Sequence, residues 1–121
     1  MSGPSPRKSR PPLDDERLRE LALRYVGRFA TTRARLLAYL ERKVRERGWH
    51  EGNQPETEAM ADRFVELGYV NDASYAVTKS AAMVRRGLGP RRIRAGLQAD
   101  GIGEQERAQA EAQATDAKWD A

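Results

Sequence analysis

An all-α fold of tandem three-helix repeats, elongated and curved, is predicted by three features of this 121-residue sequence. Apolar residues recur every three or four positions from Leu18 to Leu97, and no stretch alternates apolar with polar long enough for a strand. The third feature is an internal echo: the offsets of Leu18, Leu21, Ala22, Tyr25, Val26 and Phe29 return in Ala73, Ala76, Val77, Ser80, Ala81 and Val84. A three-helix unit of this size cannot bury its apolar face alone. Each unit must therefore stack on its neighbour.

The elements follow in order. Residues 1–13 read as a disordered basic, Pro-rich tail, with four prolines in the first twelve positions and with Arg7, Lys8 and Arg10 available to a polyanion. A first helix is expected at about 14–29, started by Asp14 and Asp15, with the Leu18 to Phe29 stripe turned inward. Thr31 or Thr32 caps the second, which buries Leu36, Leu37, Leu40 and Val44 until Gly48 ends it near 47. A loop rich in Gly, Asn and Pro precedes the third helix, Glu56 to Leu67, with Met60, Ala61, Phe64 and Val65 inward and Gly68 as its stop.

Asn71 or Asp72 caps the fourth helix. Pro90 opens the fifth, where its missing N–H costs nothing, and Ile93 and Leu97 face inward until Gly101 closes it. The sixth runs from Gly103 to about Lys118. The first repeat thus covers 14–70 and the second 71–118, and residues 119–121 read as the stub of a further unit. Tyr25, Phe29, Phe64 and Tyr75 lie on or beside apolar stripes and are expected in the core.

Composition narrows the function. Lys plus Arg number 22 against 18 Asp plus Glu, for a net charge of +4 and a pI near 9.8, which favours an acidic partner. There is no cysteine, which excludes disulfides, thiolate metal sites and thiol nucleophiles. No apolar stretch approaches the roughly 20 residues that span a bilayer. A cytoplasmic monomer with no membrane association is expected.

No enzymatic constellation appears. The single histidine, His50, stands in a loop without metal or catalytic partners at a recognisable spacing. Arg86-Gly-Leu-Gly-Pro lacks the lysine and the length of a phosphate-binding loop. Neither a cofactor nor a metal is implied, and the chain reads as a non-enzyme.

What remains is cationic. Arg85, Arg86, Arg91, Arg92 and Arg94 put five positive charges into ten residues with no acid among them. On a helical wheel Arg91 and Arg92 point away from Ile93 and Leu97, so they face solvent. Guanidinium groups match phosphate and carboxylate oxygens in pairs, and the helix start at Pro90 adds its own positive end. A second stripe, Arg35, Arg42 and Arg45, lies on the outer face of the second helix, where Glu41 and Glu46 partly neutralise it.

Two segments carry a resemblance. The run Glu66-Leu-Gly-Tyr-Val-Asn-Asp-Ala-Ser-Tyr-Ala and the run from Arg86 to Ile102, Arg-Gly-Leu-Gly-Pro-Arg-Arg-Ile-Arg-Ala-Gly-Leu-Gln-Ala-Asp-Gly-Ile, resemble the signature of the RecX family of bacterial recombination regulators. Ala22-Leu-Arg-Tyr and Thr32-Arg-Ala-Arg-Leu are similar to that family's opening helices, so the likeness covers about 14–119. The resemblance implies an all-α protein that binds the RecA filament in its groove near the DNA and limits strand exchange and coprotease activity, with a part in the SOS response. It carries over Arg86, Arg91, Arg92 and Arg94 as binding groups for RecA or for single- or double-stranded DNA. Asn71 departs from the acidic residue usual there, the second helix is about a turn longer than the fifth, and the family's third repeat would start where this chain ends. The alternative is a stand-alone helical DNA-binding module, with the fifth helix in a major groove.

Overall fold

The structure, a computed structural model, describes residues 10–50 and 52–120, the last six of them by backbone alone. Six helices account for it: α1 (Asp15–Arg28), α2 (Arg33–Arg47), α3 (Thr57–Glu66), α4 (Asp72–Arg85), α5 (Pro90–Ala99) and α6 (Glu104–Asp120). The protein is all-α. Among the described residues the only β-type pairing is an isolated bridge between Leu13 and Trp49.

Capping chemistry sets the helix starts. The side chains of Asp14, Thr32 and Asn71 accept from the backbone N–H of Arg17, Arg35 and Ser74, each satisfying one of the donors a helix leaves open at its first turn. Asp15 and Glu16 in the first turn of α1 lie at the positive end of its dipole. At the other ends, Gly48, Gly68, Gly87 and Gly101 all adopt φ between 81° and 86°, a left-handed turn that a side chain resists.

Buried apolar residues fall into two clusters. Leu13, Leu18, Ala22, Leu36, Leu40, Met60, Phe64 and Val70 belong to the first, built by α1 to α3. Ala76, Met83, Ile93, Leu97, Ile102 and Ala110 form the second, built by α4 to α6. Between the clusters runs a polar joint. Thr32 Oγ1 donates to the Asp100 carbonyl at 2.6 Å, and the Arg33 N–H donates to Asp72 Oδ1 at 2.9 Å. One hydroxyl thus caps α2 and also ties it to the end of α5.

Several expectations are corrected. Leu13, the last residue of the expected disordered tail, is fully buried, and its backbone bonds to Gly48 O and from His50 N at 2.9 and 2.8 Å. The tail's residues 1–9, with Arg7 and Lys8, lie outside the described residues, as do the side chain of Trp119 and the end of the 119–121 stub. Phe29 and Val65, expected inward, are 53% and 40% exposed: Phe29 is the C-cap of α1 and Val65 lies in the last turn of α3, each at the edge of its apolar stripe. Ala73 is exposed at the start of α4, and Met83, left off the stripe, is buried instead. Met83 is drawn in because Gly96 of α5 offers no side chain there: a Cβ at that position would stand 3.1 Å from Met83 Cε.

Candidate anion-binding surfaces

The corner between α4 and α5 gathers four of the predicted arginines. Helix α4 ends at Arg85 with Arg86 as its C-cap, and Gly87 reverses the chain at φ 85°. Leu88 and Gly89 then lead into Pro90. Arg85, Arg86, Arg91 and Arg92 are all exposed, and none of them meets a carboxylate among the described side chains. Gly89 is the N-cap of α5 and brings no side-chain acceptor, so the amides of Arg91 and Arg92 keep their hydrogen-bonding capacity for an outside group. Beside these charges is a cleft of about 210 Å³, walled mainly by Val84, Leu88, Pro90 and Ile93, with Glu111 of α6 at its far side. A cationic rim and an apolar dent therefore adjoin at one corner.

Arg94 does not belong to that rim. Its guanidinium donates two bonds to Glu111, Nε to Oε2 and Nη2 to Oε1, both at 3.0 Å. The paired hydrogen bond holds the Arg94 charge above its ordinary pKa, and it holds the Glu111 carboxyl below the usual carboxylate range. This side chain braces α5 against α6.

The second predicted stripe divides in the same way. Arg35 Nη1 reaches Tyr75 Oη at 3.4 Å and Asp100 Oδ1 at 3.6 Å, across the joint between the clusters. Asp100 is the hub there: Tyr75 donates its hydroxyl proton to Oδ2 at 2.6 Å, and Lys79 pairs with the same oxygen. Burial alone would raise the Asp100 pKa, but Lys79, Tyr75 and Arg35 outweigh it and hold the carboxyl below its usual range. For Tyr75, burial and then the bond to Asp100 push the hydroxyl up. Arg42 pairs with Glu46 at 3.6 Å and lies over the Tyr39 ring at 5.5 Å. Arg45 is exposed with no carboxylate partner among the described residues.

Sequence reasoning missed a groove between α1 and α2. Arg24 and Arg28 of α1, Arg35, Arg42 and Lys43 of α2, and Arg10 ahead of α1 line a space of about 840 Å³ there. No carboxylate of the described residues lines it. Tyr25 and Tyr39 stack across it with ring centroids 4.2 Å apart and planes 16° from parallel, and Phe29 continues the row at 5.4 Å from Tyr25. The available signal was the Arg24, Tyr25, Arg28 spacing, which puts two cations one turn apart beside an aromatic on one helix face.

Among the described residues no group of His, Asp and Glu is arranged to hold a metal ion, and no helix is long and apolar enough to cross a membrane. Comparison with protein-family models, with curated proteins and with solved structures finds no match to this chain.

Proposed function

We propose that this chain is a non-enzymatic regulator that binds the RecA filament on DNA and lowers its ATPase, strand-exchange and coprotease activities, as a RecX-family protein would. The observation that carries the reading is the α4–α5 corner. Arg85, Arg86, Arg91 and Arg92, none of them paired with a described carboxylate, flank a helix start with open amides and a mainly apolar cleft. A bare phosphate backbone offers nothing for such a cleft, whereas a protein surface with carboxylates around an apolar side chain fills both features. The same corner lies within the Arg86 to Ile102 run that carries the resemblance. A cytoplasmic monomer, with no cofactor, belongs to this proposal.

The test is capture of the chain on preformed RecA filaments, with bare DNA as control, alongside the DNA-dependent ATPase rate. Filament capture and a reduced rate are expected. The double substitution Arg91→Glu and Arg92→Glu should relieve the inhibition at unchanged helicity. An unaltered ATPase rate at saturating protein refutes the proposal.

A further inference from the structure

We infer that the α1/α2 groove is a binding site for single-stranded nucleic acid, with the sugar-phosphate backbone held by Arg10, Arg24 and Arg28 and a base stacked on Phe29. This goes beyond the filament reading, since it needs no recombinase and concerns a different pair of helices. It rests on two independent properties of the groove.

The first is charge. Among the described residues six cations and no acid line the space, and the cations are not equally committed to the protein. Arg35 is held by Tyr75 and Asp100, while Arg42 and Lys43 share Glu46 at 3.6 and 3.5 Å. Arg10, Arg24 and Arg28 have no carboxylate partner among the described residues, and all three are exposed. Cations gathered this closely repel one another, and a polyanion threaded along the groove relieves that repulsion.

The second is the aromatic row. A half-exposed phenylalanine contributes little to folding where it stands, at the C-cap of α1 outside the core cluster. Its ring abuts Tyr25, which is in turn backed by Tyr39, so the row is braced from within while its outer end stays open. Arg28 lies 5.7 Å from the Phe29 centroid. A cation beside an exposed ring, at the end of a positive channel, suits a nucleotide: the guanidinium meets the phosphate and the ring meets the base. Phe29 and Arg28 also line the neighbouring groove toward α4, so a strand leaving the first groove passes over the ring. Duplex bases are stacked inside the helix and have no face to give Phe29; only a single strand does.

The experiment is fluorescence anisotropy of a labelled short oligothymidylate against an abasic strand of the same length, with the complete chain. The intact protein should prefer oligothymidylate. Phe29→Ala, at a half-exposed site that leaves the core intact, should weaken that binding by about 5- to 100-fold and leave the abasic strand unaffected. Arg24→Gln with Arg28→Gln should weaken both and lower the slope of log affinity against log salt by about 1.4, at about 0.7 per phosphate of a single strand. Equal binding of the two strands by the intact protein overturns the proposal, as does indifference to Phe29→Ala. Displacement by polyglutamate as readily as by oligothymidylate of equal charge would make the groove an acidic-peptide site and also overturn it. The Arg91→Glu, Arg92→Glu variant separates the two ideas: it should keep oligonucleotide binding in the groove while losing the filament.

Discussion

Replacing Gly101 by alanine tests whether the two helical clusters are held in register by contact as well as by hydrogen bonds. Gly101 follows the C-cap of α5 at φ 81°, in the left-handed region where a Cβ costs about 1–2 kcal/mol. The added methyl would also stand closer than 3.0 Å to Ala34 Cβ on α2, a separation real side chains do not adopt. Ala34 has no flexible end that can swing away, so α2 and the end of α5 must part, which stretches the 2.6 Å bond from Thr32 to the Asp100 carbonyl. Overpacking of this kind adds about 1–3 kcal/mol. Reduced freedom of the unfolded chain returns about 0.4–1 kcal/mol, leaving a net loss of about 1–4.5 kcal/mol. Gly68→Ala is the control, since its φ is 86° but no described atom lies within 4 Å of the added methyl. Urea unfolding followed by far-ultraviolet circular dichroism gives both values. Ala34→Gly should rescue Gly101→Ala by more than the sum of the single changes allows, even though glycine costs a helix about 0.5–1 kcal/mol. A Gly101→Ala loss no larger than that of Gly68→Ala, or strict additivity with Ala34→Gly, would refute the contact.

Three further outcomes follow from the joint and the second cluster. Thr32→Ala removes both an N-cap and the donor to the Asp100 carbonyl; a loss of about 2–3 kcal/mol is expected in the same urea titration. Ser80 is 1% exposed and its hydroxyl has no partner among the described residues, so Ser80→Ala should raise the thermal midpoint by relieving a buried unmet donor, a gain of about 1 kcal/mol. Because the folded Asp100 carboxyl sits below its unfolded value, near 3.9, its contribution is complete above that value and is lost as pH falls through the lower, folded one. Urea midpoints should therefore drop more steeply below about pH 4 in the natural chain than in Asp100→Asn; equal slopes would remove Asp100 from the account.

Half of the proposed corner could be read from residue order. Arg91 and Arg92 sit two and one positions before Ile93 on the same helix, so burial of Ile93 fixes them outward by helical geometry alone. Arg94 shows why the rest was hidden. Its partner Glu111 is 17 residues away on another helix, and no local pattern tells a free guanidinium from a committed one. The α1/α2 groove was harder still, because Arg24 and Arg28 line one space with Arg35 and Arg42 only once two helices have been laid side by side.

What the chain order determined by itself was everything decided within a turn or two of backbone. Asp14, Thr32 and Asn71 satisfy amides three residues ahead, Gly48, Gly68 and Gly101 take the left-handed turn that ends a helix, and spacings of three and four give the apolar stripes. Tertiary structure decided which edge of each stripe was covered, turning Phe29 and Val65 to solvent and Met83 inward, and it decided which charges were used up at Asp100, Glu111 and Glu46. The division has one cause. Backbone hydrogen bonds and turns act between near neighbours in sequence, while burial and ion pairing depend on which surfaces the folded helices bring together.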